Sequence, residues 1–333
     1  MEKNVVVVYL GNKIPKYIIK NLYDIQRKIG NNKLHFITNS KLEIPHPYKH
    51  QISVFKCSSY SNELMRFNQH TSHPLDFREG FWFKTIARFF AIRDFMSKNQ
   101  GPLIQIEGDV WISKSFPFES FDNIEDEVAF TMETAKTGSA AILWIKHFAA
   151  ANLLCSITEN LIKSDPLTTD MKILGNIANK KLMKVKILPS IPKDNYVKAD
   201  DVFSNYLFDP LTYGIYLFGE DPKNNRGKRK VYKEYEHHLI KPSKLEIKIE
   251  NNDEIFLYNK KQHQEYVLCN LHNHSKDMRL FDQIKQYKII KKRIVHRKKE
   301  EKLEFVFTSF IELFLKWIRH RVKLSKRKLN VRK

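Results

Sequence analysis

A chain of 333 residues is long enough to bury one large core or two small ones. With 42 % hydrophobic and 12 % aromatic residues it has a globular composition, which excludes a disordered chain. Three cysteines, Cys57, Cys155 and Cys269, are too few and too far apart for a disulfide framework or a Cys-x-x-Cys zinc site, as expected in a reducing, cytoplasmic setting. The formal net charge of +21 is unevenly placed: residues 284–333 hold 18 Lys/Arg against 4 Asp/Glu, or +14, leaving +7 for the other 283 residues.

The β-branched run NVVVVYLG (4–11) ends in glycine and predicts a buried parallel strand. No small-residue cleavage site follows it, so it reads as a first strand and not as a signal peptide. Ile14, Ile18, Leu22, Ile25 and Ile29 then recur at helical spacing up to Gly30. KLHFITNS (33–40) and QISVFKC (51–57) read as strands. This alternation predicts an α/β domain over residues 1–283, with a mostly parallel sheet flanked by helices. GFWFKTIARFFAIRDFMSKN (80–99) predicts a helix with Phe81, Thr85, Arg88, Ile92 and Phe95 along one side, broken by Gly101-Pro102. LIQIEGDVWI (103–112) and EVAFTME (127–133) follow as strands. Helical patterns cover 140–163 and 169–181, and KVKILPS (184–190) is a late strand. Residues 200–225 are aromatic and turn-rich. The charged segment 228–268 holds short strand-like pieces, KLEIKIE and EIFLYN, that fit either an edge sheet or an insertion.

The chemistry gathers where polar residues interrupt apolar runs. Glu107 and Asp109 end a buried strand, at the sheet edge where open α/β sheets place ligands. Two carboxylates so close repel unless a cation lies between them or one takes a proton. Hard ions such as Mg²⁺ or Mn²⁺ want such oxygen ligands, and Gly108 is expected to leave room for a ligand. Solvated acids in a turn are the plainer alternative. An apolar lead into His272-x-His274-Ser275-Lys276 offers imidazoles for a metal and a cation for a diphosphate, or simply a polar loop. Arg88 is a charge within IARFFAI and needs a partner, either a core carboxylate or a ligand.

Taken in order, VVVVYLGNKIPKY, FWFKTIARFFAI, IEGDVWI and LHNHSK resemble the corresponding parts of GT-A type, nucleotide-sugar-dependent glycosyltransferases, over roughly residues 4–281. IEGDVWI is a Glu variant of that class's D-x-D motif. The resemblance implies a Rossmann-like GT-A fold and an Mn²⁺ or Mg²⁺ cofactor held by Glu107, Asp109, His272 and His274, with Asp109 the direct ligand. It implies donor contacts from Leu10, Gly11, Thr85, Arg88, Glu107 and Lys276, with a UDP-sugar the favoured donor. DPLTYGIYLFGEDPKNN (209–225) resembles an acceptor-side loop, which points to Gly219 and Asp221. If the reaction inverts configuration, a carboxylate must take the acceptor's proton. Asp170 is the first candidate, then Asp209, with Asp201 in reserve; an N-cap role for Asp170 or Thr169 is the alternative.

Residues 284–333 are expected to form a basic amphipathic helical tail. Phe307, Phe310, Ile311, Phe314, Trp317 and Ile318 share one face there, and basic residues follow from Lys316. The apolar part is too short to span a bilayer, so it fits a peripheral helix on the anionic inner face of a membrane, serving a lipid-linked saccharide acceptor in surface-glycan synthesis. Packing on its own domain or on a partner is the alternative. No recognised motif supports specific nucleic-acid binding. Two other function classes are open to the same residues: a metal-dependent phosphoesterase or nuclease, and a non-enzymatic module acting through the basic tail.

Overall fold

The computed structural model describes residues 3–39, 52–57, 69–74, 76–192, 202–221, 239–250, 254–260, 263–282 and 285–299. Asp201 and the apolar face from Phe307 to Ile318 lie outside the described residues.

A seven-stranded sheet runs in the order β3-β2-β1-β4-β7-β6-β8. Its strands are β1 Asn4–Tyr9, β2 Lys33–Thr38, β3 Ser53–Lys56, β4 Leu103–Ile106, β6 Val128–Met132, β7 Gly138–Ile145 and β8 Val185–Leu188. Every neighbouring pair is parallel except those made by β7, which pairs antiparallel with both β4 and β6. The carboxyl ends of β1, β4, β6 and β8 therefore lie along one edge. Val5, Val6 and Val7 of β1 are fully buried, as expected of a strand covered on both faces.

Helices α1 Lys16–Gln26, α2 Phe81–Lys98, α3 Phe148–Ser164 and α4 Asp170–Asn179 supply the layers on the sheet. Ile18, Leu22 and Ile25 of α1 join one core with Val5, Val7 and Ile104. Ile86, Phe89 and Phe95 of α2 join the other core with Val6, Leu103 and Leu143. Alternate residues of β1 and β4 thus feed opposite layers, the period of two that a strand imposes.

Two elements differ from expectation. LIQIEGDVWI is not one strand: β4 stops at Ile106, residues 107–109 turn, and β5 Val110–Ile112 starts a separate ribbon. The Val110 N–H donates to the Glu107 carbonyl at 2.9 Å, closing the turn. Residues 140–145 lie in strand β7, and the helix expected from 140 begins at Phe148. GSAAILWI is buried at every position, so it had no polar face from which a period could be read.

The C-terminal part of the body is built on a second, four-stranded sheet of order β10-β11-β12-β9, from β9 Tyr206–Leu207, β10 Glu246–Ile249, β11 Ile255–Asn259 and β12 Gln264–Leu268. The strand-like pieces around 244–259 thus form a sheet of their own. Strand β13 Asn270–His272 then pairs antiparallel with β5. A short helix, α5 Thr212–Phe218, and a helical segment over 286–299 complete a third core, in which Tyr213 and Phe218 pack with Trp111, Ile289, Ile290 and Ile294. Packing therefore continues past 283, and the boundary expected at 283/284 falls inside the body. Among the described residues no helix is long and apolar enough to cross a membrane.

Candidate metal and diphosphate site

The site starts with the β4–β5 turn. Asn21 of α1, itself buried, donates from Nδ2 to the carbonyls of Gly108 at 3.2 Å and Val110 at 2.9 Å. Gly108 is not an opening for a ligand as expected: a Cβ there would stand 3.0 Å from Cγ1 of buried Ile18, so the position is small because α1 packs against it. The turn, held from one side by a helix, aims Glu107 and Asp109 off the sheet edge.

The antiparallel ribbon brings the distant histidine to them. His272 is opposite Val110 in the β13–β5 register, and the Asn273 N–H donates to the Asp109 carbonyl at 2.8 Å. Nε2 of His272 lies 3.4 Å from Glu107 Oε2 and 3.5 Å from Asp109 Oδ2. Nδ1 of the same ring donates to the Pro210 carbonyl at 3.0 Å, which turns Nε2 to the carboxylates. Ligand atoms of Glu107, Asp109 and His272 all lie within 4.8 Å of one another. An imidazole nitrogen and two carboxylates gathered this closely are a donor set that fits a hard divalent cation.

Arg88 answers its need for a partner with two core carboxylates. Its Nη1 pairs with Glu107 and its Nη2 with Asp170 at 2.5 Å, while Nε donates to the Thr85 carbonyl. Burial opposes the Arg88 charge, but Glu107 and Asp170 outweigh it and hold the guanidinium above its usual range. Burial likewise pushes Glu107 up, and Arg88, His272 and Lys276 overcome this to bring it down to about 2. For Asp170 burial wins over Arg88, so that carboxyl is raised. Thr169 is the N-cap of α4, accepting from the Lys172 N–H at 3.3 Å, and Asp170 is the first helical residue beside it. Thr85 hydrogen-bonds Asp170 as well.

The other expected residues divide. Lys276 Nζ pairs with Asp109, 5.3 Å from the Tyr17 ring centre, and burial, then Arg78, lowers its ammonium to about 7. His274 is not in the three-ligand group. Its Nδ1 accepts from the Asp221 N–H at 3.3 Å, and burial, then His272, lowers it to about 4. Asp209, expected as a base, is fully buried, and its oxygens accept the N–H groups of Leu211, Tyr213, Gly214 and His272. That arrangement anchors α5 to β13 and keeps the carboxylate from an acceptor. Leu10 and Gly11 are buried just beyond β1, with Leu10 in the α2-side core. Gly219 ends α5 in a positive-φ conformation (φ 80°), and buried Asp221 follows it.

Four contributors escaped the sequence reading. Asn21 and Arg78 lie in unremarkable sequence, and Tyr17, although it closes the VVVVYLGNKIPKY stretch, carries no role in the sequence reading; all three became visible only through the fold. Glu133 had a signal: it ends the apolar run EVAFTM as Glu107 ends LIQI. It follows β6 at the same edge, buried and pushed up by that burial, with His272 among the charges acting on it.

The sequence matches no protein-family model and no curated protein. Solved structures similar in fold include the galactosyltransferase LgtC in complex with donor and acceptor sugar analogues, at 11 % identity over 69 % of this chain and 84 % of that one (TM-score 0.43). Mouse xyloside xylosyltransferase 1 is similar at 10 % identity over 57 % and 86 % (0.42). The glycosyltransferase GlyE of Streptococcus pneumoniae TIGR4 is similar at 16 % identity over 55 % and 45 % (0.36).

Proposed function

We propose that this protein transfers a sugar from a nucleoside-diphosphate donor, with a UDP-sugar favoured, to a saccharide or lipid-linked saccharide in surface-glycan synthesis. The observation that carries this reading is the convergence of Glu107, Asp109 and His272 Nε2 at the sheet edge, with Lys276 seated on Asp109. When bound there, Mn²⁺ or Mg²⁺ supplies a Lewis acid that offsets charge on the departing diphosphate. Lys276 meets the same diphosphate as a point charge by moving off Asp109. Arg88 and Asn21 keep Glu107 and the turn in place, so the ligands need no rearrangement. Arg88 holds Asp170 beside the donor sugar, and burial raises the proton affinity of Asp170 in the direction a base at the acceptor hydroxyl needs. Backbone groups at Leu10 and Gly11 face the nucleoside, and Gly219 and Asp221 lie on the acceptor side. The basic C-terminal segment holds the enzyme on an anionic membrane surface.

Thermal unfolding of the protein with UDP, with Mn²⁺, and with both tests the reading. The pair is expected to raise Tm more than either alone, and Asp109→Ala to abolish the joint effect. No shift with any nucleoside diphosphate would overturn it. A two-metal hydrolase is less well supported: among the described residues Glu107, Asp109 and His272 are the one group of three or more such side chains placed to hold an ion.

A further inference from the structure

Arg78 belongs to none of the motifs that the sequence offers. It precedes α2 at φ 49° and ψ 43°, followed by Glu79 at φ 58° and Gly80 at φ 76°, so three successive residues are left-handed. Two of them carry side chains that disfavour this conformation. Such a run persists where surrounding contacts over-determine it, and strain of this kind collects at ligand clamps.

Those contacts lead into the site. Arg78 Nη2 pairs with Asp221 Oδ2 at 2.6 Å, and its Cζ lies 4.9 Å from the Phe81 ring centre. The Asp221 N–H donates to His274, two residues before Lys276. Lys276 is itself left-handed, at φ 56°. Arg78 acts on Lys276, on His274 and on the Tyr17 phenol through space, so the guanidinium lies within the field of the same edge. Two cations are thus thrown towards one space from rigid, left-handed positions, each resting on a carboxylate: Lys276 on Asp109, Arg78 on Asp221. Arg78 is a quarter exposed in this pair whereas Asp221 is nearly buried, so the arginine is the partner with room to move.

We propose that Arg78 is a second cationic ligand for the donor diphosphate, held in reserve by Asp221 and exchanged from it when the donor binds. The proposal rests on the glycosyl-transfer reading. The planar guanidinium fork matches two phosphate oxygens as it matches a carboxylate, so a phosphoryl group would compete with Asp221 for it. Because the left-handed backbone fixes the root of the side chain, only its outer torsions need change.

The consequence has a sign that a merely structural ion pair would not give. Calorimetric titration of UDP and of inorganic pyrophosphate into the full chain, with Mn²⁺ present, reads it. Arg78→Gln is expected to weaken both by about tenfold, the size of one charge-assisted bidentate contact, and Arg78→Lys by less. Asp221→Asn is expected to tighten both, since it removes the competitor. In an Arg78→Gln background Asp221→Asn should have no such effect. Unliganded Tm values are read alongside, and the near-isosteric Asp221→Asn carries the decision if Arg78→Gln folds poorly. Unchanged or weaker binding in Asp221→Asn overturns the exchange while leaving glycosyl transfer standing. Failure of the wild-type chain to bind either probe overturns both.

Discussion

Arg88 satisfies two buried carboxylates with one guanidinium, and this division of labour sets what its loss would do. Removing it takes the shared guanidinium from Glu107 and leaves buried Asp170 without its ion-pair partner, a change that costs about 3–5 kcal/mol in a buried site. Arg88→Ala is therefore expected to lower Tm sharply, whereas Asp109→Ala, at a half-buried position, should leave Tm nearly unchanged and remove the Mn²⁺-dependent response to UDP. Thermal melts of the two variants with and without ligand separate the roles. The cysteines give a second check. Burial pushes Cys155 up to about 12 and Cys269 well above the usual thiol range, whereas Cys57 is half-buried, 3.3 Å from Asp94. Thiolate is the reactive form. A thiol reagent at pH 8 should modify Cys57 alone in the native protein and all three cysteines after unfolding.

At this scale the sequence was partly legible. Acids and imidazoles that interrupt apolar runs stood out because a buried strand has a physical reason to avoid them. What could not be read was direction. His272 presents Nε2 to Glu107 and Asp109 because its Nδ1–H donates to the Pro210 carbonyl, whereas His274 Nδ1 accepts the Asp221 N–H. Asp209 has the composition of a catalytic acid, but four backbone N–H groups make it an anchor.

Among the elements, α5 and β13 are pressed together at one point. A Cβ on Gly214 would stand 1.9 Å from the His272 carbonyl oxygen, so any side chain there must drive the helix off the strand. Gly214→Ala is expected to displace His272, lowering both Tm and Mn²⁺ affinity, although residue 214 carries no ligand; metal titration by calorimetry checks it. Strands β1 and β2 and helices α1, α2 and α4 were legible because each shows a clean period of 2 or 3.6 or a β-branched run between breakers. Strand β7 was not, since a strand buried on both faces carries no period. The break between β4 and β5 was hidden because apolar residues flank it on both sides; the same three-residue turn that holds Glu107 and Asp109 also ends the strand.

For the molecule as a whole, the C-terminal helical segment is both structural and basic. Gln286 Nε2 donates to buried Asp24 at 2.7 Å, which also holds Arg27 and Lys28, and Ile289, Ile290 and Ile294 enter the third core. Lys288, Lys291, Lys292, Lys298 and Lys299 are exposed on its outer side. Truncation after residue 283 should therefore destabilise the protein, because each buried isoleucine contributes about 1.5–3 kcal/mol. Truncation after 299 should weaken sedimentation with vesicles containing anionic lipid. The sequence had divided these residues by charge alone, and charge cannot tell a solvated face from the packed face behind it.

The ribbon of β5 and β13 joins positions far apart in the chain: the contact between Asp109 and Lys276 spans 167 residues. On the ribosome the two acids and Arg88 emerge early, and the imidazole that completes their trio arrives only when most of the body has been made. On the proposed function metal capture is therefore a late event of biosynthesis, and a nascent chain arrested before residue 272 should be blind to manganese.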